Sequence, residues 1–139
     1  MSHSKIHTLL SVEKLEVVYH NVSTAIQGVT LRVEQNQIVA LLGTNGAGKT
    51  TTLRAISGFL GVDDAEVSEG DILFRGEEIQ NKPPHLIAKK GIALVPERDK
   101  IFENLTVREN LQVSVSIMKN KEDKHLQGLI FHYFPVLQN

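Results

Sequence analysis

Gly43-Thr44-Asn45-Gly46-Ala47-Gly48-Lys49-Thr50 leaves the apolar run Ile38-Val39-Ala40-Leu41-Leu42 and enters Thr51-Thr52-Leu53-Arg54-Ala55-Ile56. A buried-type strand, a glycine-rich turn and a helix in that order make a phosphate-binding P-loop. Glycines at 43, 46 and 48 permit positive φ and close approach, so that successive backbone N–H groups can wrap a polyphosphate. The anion then lies at a helix N-terminus, where unsatisfied N–H groups and the macrodipole favour negative charge. In this pattern Lys49 reaches the β- and γ-phosphates, the Thr50 hydroxyl ligates Mg²⁺, and Thr51 adds a donor for the α-phosphate. The plainer reading is a glycine-rich turn that merely joins a strand to a helix. With Gly at roughly 7% of average composition, the spaced pattern arises by chance in well under ~1% of chains of this length.

The surrounding composition narrows the class. At 139 residues with 41% apolar content, the chain has room for about one domain with a core. A formal charge of −1, with no long run of Lys and Arg, speaks against direct nucleic-acid binding. Without cysteines there are no disulfides or thiolate metal sites, which fits a reducing compartment. No stretch reaches the ~18 to 20 apolar residues of a membrane span, and Met1-Ser2-His3-Ser4-Lys5 is not followed by a signal core, so a cytosolic location is expected.

Taken in order, residues 9–19 alternate as a strand, with Leu15, Val17 and Tyr19 on one face, and His20-Asn21 turns the chain. Val29, Leu31 and Val33 alternate with Thr30, Arg32 and Glu34, which predicts an antiparallel partner closed by a Gln35-Asn36 turn. Residues 38–42 are continuously apolar and predict a strand covered on both faces in a parallel sheet, with 92–95 as a second one stopped by Pro96. The P-loop helix is expected from about Gly48 to Ile56 or Ser57, with Leu53 and Ile56 inward and Gly58 as its stop. Residues 61–70 carry Asp63, Asp64, Glu66 and Glu69 and read as a solvated loop, followed by a strand over 71–75 and a turn at Gly76. Pro83-Pro84 opens a short helix that Gly91 closes. Thr106-Val107-Arg108-Glu109 has the capping-box form before Leu111, Val115 and Met118. After the polar break Lys119-Asn120-Lys121-Glu122-Asp123, a last stripe of Leu126, Leu129, Ile130, Tyr133 and Phe134 ends at Pro135 and reads as core packing.

With these motifs in place, the sequence from Leu10 to about Asn139 resembles the ATP-binding subunits of ABC transporters. The resemblance implies an α/β fold: a P-loop NTPase core of the ABC ATPase type, with an antiparallel β subdomain and the start of a helical subdomain. Within this single domain the β portion falls at about 9–36 and 70–80, the core at about 37–60 and 91–97, and the helical arm at about 98–139. In the family an aromatic residue some two dozen positions before the P-loop stacks on adenine, and Tyr19 lies at the matching place. A strand-end tyrosine taken alone is more often a packing residue. The implied nucleotide contacts are therefore Tyr19, Gly43, Thr44, Asn45, Gly46, Ala47, Gly48, Lys49, Thr50 and Thr51, for ATP with Mg²⁺.

Val95-Pro96-Glu97, Phe102 and Leu105-Thr106-Val107-Arg108-Glu109-Asn110-Leu111 match the next family elements. Most members carry glutamine where Glu97 falls, in the Q-loop hinge that touches Mg²⁺ or the attacking water and relays nucleotide state to the permease. Glu97 is thereby the implied catalytic residue and second Mg²⁺ contact, its alternative being an ordinary exposed carboxylate at a strand end. The Val-Pro-Glu version is similar to an ATPase subunit of branched-chain amino-acid uptake systems. Asn36 and Arg98 depart from the family by replacing common glycines, the first mildly because asparagine tolerates the left-handed region.

The sequence ends ahead of the Leu-Ser-Gly-Gly-Gln-type signature, the acidic strand with its catalytic glutamate and the switch histidine. None of His3, His7, His20, His85, His125 and His132 forms a catalytic or metal-binding constellation that replaces them. A truncated cassette of this kind is expected to bind nucleotide at most and to be inactive as an ATPase alone. The complete family member is an ATPase, peripheral on the inner face of the cell membrane, that couples MgATP hydrolysis to amino-acid import. Its implied partners are a second ATP-binding subunit, transmembrane permease subunits and, indirectly, a solute-binding protein. Two alternatives remain: a non-catalytic nucleotide-binding or structural fragment, and another P-loop NTPase. The parallel strands that complete the family sheet lie in the other half, so the chain alone is expected to self-associate.

Overall fold

The computed structural model of the chain describes residues 7–20, 23–97, 101–115 and 123–138. Residues 1–94 and 95–139 form two compact units.

The first unit is built on the predicted alternation. Its antiparallel sheet contains β1 (Thr8–Tyr19), β2 (Ser23–Glu34), β3 (Ala65–Phe74) and the two-residue β4 (Glu77–Glu78), in the order β2-β1-β3-β4. The central strand β1 sends Val12, Leu15 and Val17 inward, where all three are fully buried. Val12 lies opposite Ile72, and Val17 opposite both Val67 and Ile26. Val12 and Leu15 share a face although three residues apart, because Lys14 at φ 48 breaks the register and shifts the alternation by one. Gly70 crosses this bulge: at φ 86, a Cβ there would stand 2.4 Å from the carbonyl oxygens of both Glu13 and Lys14.

Two helices pack on the buried residues of this unit: α1 (Lys49–Ser57) and α2 (Pro84–Lys89). Gly58 ends α1 in the left-handed conformation, with the N–H groups of Gly58 and Phe59 donating to Ala55 O and Arg54 O. A Cβ on Gly58 would meet Lys82 O at 2.4 Å, so the glycine also admits the chain entering α2. The buried face of α1 is Thr52, Ala55 and Ile56, whereas Leu53, expected inward, is exposed. Thr52 can take the inward place because its hydroxyl is satisfied by donating to Gly48 O at 2.9 Å.

Two further expectations are corrected. Residues 61–70 are not a loop: a 3-10 turn (Leu60–Asp63) leads directly into β3 at Ala65. Ala65 and Val67 are buried while Glu66, Ser68 and Glu69 face out, a period-2 pattern carried beneath the acidic charge. Residues 38–42 and 92–95 form no strand. No described strand lies alongside either run, so no ladder forms, and Ile38 and Leu42 are 101% and 87% exposed. Ile92 alone of these packs against the core cluster.

The second unit holds α3 (Val107–Val115) and α4 (Asp123–Tyr133), the latter followed by a 3-10 turn at Pro135–Gln138. The predicted capping box is present. Glu109 N donates to Thr106 Oγ1 at 3.3 Å, and Thr106 N donates back to Glu109 Oε2 at 2.8 Å. The Thr106 hydroxyl and amide hold the Glu109 carboxyl below its usual range. Asn21, Arg98, Met118, residues 119–122 and the side chains of Val115 and Leu126 lie outside the described residues.

Candidate functional site

The chain reaches the glycine-rich loop from β2 through the expected turn, in which Asn36 takes φ 63. Gly46 and Gly48 then adopt φ 84 and 82, the left-handed conformations their positions require. Gly43 does not, and its requirement is space: a Cβ there would lie 3.0 Å from Ala47 Cβ. Ala47 N donates to Thr44 O at 3.2 Å, closing the turn that carries Asn45 and Gly46.

Lys49 fastens the mouth of this turn. Its ammonium donates to Gly43 O at 2.7 Å and to Thr44 O at 2.6 Å, a contact between residue 49 and the start of the loop that spacing alone does not reveal. The backbone bond from Thr52 N to Gly48 O, 2.8 Å, follows the amides of Lys49, Thr50 and Thr51, which stand at the open start of α1. The first turn contains no acidic residue. A lysine, a helix start with unclaimed donors and no carboxylate together make an electropositive turn suited to a phosphate chain.

The loop is seated on the sheet by a feature that the alternation of β2 conceals. Val17 pairs with Ile26 and Val18 with Thr24, so Ala25 is an extra residue bulged out of the ladder. Gly48 sits against this bulge: a Cβ there would be 3.0 Å from Ile26 Cγ1 and 3.5 Å from Ala25 O. Tyr19 ends β1 opposite Ser23 and Ala65, half-buried against the core cluster. It is two residues, roughly 6 to 7 Å, along β1 from the Val17 that pairs with Ile26. Tyr19 and the P-loop therefore share one end of the sheet. Thr50 is exposed on the first helical turn and Thr51 half-buried, whereas Glu97 is an exposed residue of the second unit.

No group of three or more His, Cys, Asp or Glu side chains suited to a metal occurs among the described residues. Mg²⁺ fits such a place, because it retains water and binds through substrate phosphates plus one or two protein oxygens. The Thr50 hydroxyl is the oxygen the loop offers. A separate cavity of about 420 Å³, lined by Gly58, Leu60, Val62, Lys82 and Pro83 among others, opens at the far end of α1. None of residues 43–51 lines it, so it is no part of this site.

The chain also matches known proteins. The family model for the ABC transporter matches residues 26–134. The high-affinity branched-chain amino acid transport ATP-binding protein BraG of Pseudomonas aeruginosa is 34% identical over 131 residues, covering 94% of this chain and 53% of that protein. The probable branched-chain amino acid transport ATP-binding protein LivF of Archaeoglobus fulgidus is 38% identical over 106 residues, covering 76% and 43%. The lipopolysaccharide export system ATP-binding protein LptB of Haemophilus influenzae is 39% identical, covering 81% and 44%. The crystal structure of a nucleotide-free ATP-binding cassette from an ABC transporter superposes with a TM-score of 0.67 at 26% identity, over 88% of this chain and 53% of that one. The chain thus spans about half the length of the curated relatives it matches.

Proposed function

The chain belongs to the ABC transporter ATP-binding family, and on that footing we propose that it binds MgATP at the loop between β2 and α1. The observation that carries the reading is the P-loop itself, tied by Lys49 to Gly43 O and Thr44 O and opening on a helix start without acids. Gly43, Thr44, Asn45, Gly46, Ala47, Gly48, Thr50 and Thr51 surround the phosphates through backbone and hydroxyl groups, with Lys49 supplying charge and Thr50 a magnesium ligand. Tyr19 stacks on the base. Its position at the P-loop end of the sheet supports this role, and its contact with the core fixes the ring at little further entropic cost.

This assignment separates base from phosphate. Tyr19→Ala is expected to weaken ATP binding by the ~1 to 3 kcal/mol of one base–aromatic stack, while leaving affinity for inorganic tripolyphosphate unchanged. Titration of both ligands checks it, and an equal loss for the two would assign Tyr19 to packing.

Within a complete transporter the chain's role is that of an energy-coupling subunit. Glu97 senses magnesium or the attacking water, a second ATP-binding subunit faces the nucleotide, and permease subunits at the inner face of the membrane receive the movement. Branched-chain or related amino acids are the proposed cargo, supported by Val95-Pro96-Glu97 and by the similarity to the branched-chain amino acid transport proteins BraG and LivF. Other relatives serve lipopolysaccharide export and spermidine or putrescine import. The 139-residue chain is expected to bind without steady hydrolysis, because phosphoryl transfer also requires a positioned water and charge opposite the γ-phosphate. Phosphate release by the purified chain that disappears in Lys49→Ala would overturn the binding-only reading.

A further inference from the structure

We propose that Asn110 is a positioning residue, a clasp that fastens the backbone following Glu97 to α3 so that residues 102–110 behave as one rigid piece. Asn110 lies in the first turn of α3, and its side-chain amide turns back on the preceding loop. Its Oδ1 accepts from Phe102 N at 2.8 Å, and its Nδ2 lies 3.0 Å from each of the carbonyl oxygens of Phe102, Leu105 and Thr106. A planar primary amide offers an acceptor and donors side by side, so it meets the N–H and C=O of Phe102 much as a neighbouring strand would. Two backbone bonds complete the unit, Leu105 N to Phe102 O at 3.0 Å and Asn110 N to Thr106 O at 2.9 Å.

Burial does not hold this loop. Ile101 and Phe102 are 71% and 58% exposed, so the apolar groups at this end of the loop contribute little to fixing its shape, while Leu105 nearer the helix is more covered. Polar contacts must do so, and at Phe102 these are the Leu105 N–H on its carbonyl and the Asn110 side chain, which alone of the two holds the Phe102 amide. The capping box acts at the other end, on Thr106 and Glu109, and does not reach Phe102. Asn110 therefore decides whether 102–106 is an extension of α3 or an independent linker. The consequence deepens the proposed role of Glu97 and rests on that reading for what is transmitted. Glu97 lies five residues before the clasped Phe102, a span of ~17 Å at full extension, so a larger displacement of one must pull on α3.

Amide hydrogen exchange of the 139-residue chain, resolved by residue, tests the clasp. In Asn110→Ala the Phe102 amide should exchange at least tenfold faster, while amides beyond Leu111 in α3 stay within twofold of wild type. Glu109→Ala should fray the Thr106 end and leave Phe102 protected. Glu97→Ala should leave Phe102 protected too, because no atom of Glu97 takes part in the clasp, so the clasp stands or falls independently of the role proposed for Glu97. Unchanged Phe102 exchange in Asn110→Ala, loss of protection along the whole of α3 in that variant, or equal loss at Phe102 in Glu109→Ala would each overturn the proposal.

Discussion

Lys49→Ala is expected to remove the thermal stabilisation that MgATP gives the wild-type chain. A ligand at 100 times its dissociation constant adds about 2.7 kcal/mol to stability. For a chain of 139 residues that corresponds to roughly 10 °C in melting temperature. The size of the loss follows from two separate tasks of Lys49. In the proposed complex its charge would face the phosphates across a first helical turn that contains no acids. Its ammonium also neutralises the carbonyl oxygens of Gly43 and Thr44, at 2.7 and 2.6 Å, which in the variant present two partial negative charges to the incoming anion. Backbone amides of the loop remain in Lys49→Ala but supply neither task. Thermal melts with and without MgATP decide the matter: equal nucleotide-induced shifts in the two proteins would refute the assignment.

The parts of the fold legible in the sequence are those whose determinants are local. The P-loop has a fixed spacing, Thr106 and Glu109 cap a helix three residues apart, and Gly58 and Pro84 bound α1 and α2. Leu15, Val17 and Ile72 alternate as a half-buried sheet demands. What escaped sequence reading depends on neighbours distant in the chain. The bulge at Ala25 is visible only when β2 is laid against β1, and only then does Ile26 emerge as the seat of Gly48. Glu66 and Glu69 suggested a loop because charge masked the alternation of Ala65 and Val67. Residues 38–42 and 92–95 have the composition of buried parallel strands, but a strand is defined by its ladder, and no described strand supplies one. Hydrophobicity favours Leu53 for the inward place, yet Thr52 occupies the core because Gly48 O satisfies its hydroxyl.

The same unpartnered run carries the second large expected effect: the 139-residue chain should self-associate at micromolar concentration, and Ile38→Lys together with Leu42→Lys should return it to a monomer. Ile38 and Leu42 are 101% and 87% exposed, and Val39 and Leu53 are also exposed in the same unit. Fully burying Ile38 and Leu42 is worth about 1.5 to 3 kcal/mol for each side chain. Across two copies that is roughly 6 to 12 kcal/mol, set against an association cost on the order of 4 to 15 kcal/mol. Side-chain burial of these two residues therefore only about balances the cost of association. Stable pairing also needs the contribution of Val39 and Leu53, or backbone hydrogen bonds from 38–42 aligning as a strand between copies. Because the balance is that close, two lysines placed in the contact suffice to reverse it. They do so at little cost to folding, since neither Ile38 nor Leu42 is buried within its own unit. Sedimentation velocity over a concentration series measures both states. A wild-type chain that stays monomeric would refute the expected self-association, and an assembly indifferent to the two lysines would place the contact elsewhere than on residues 38–42.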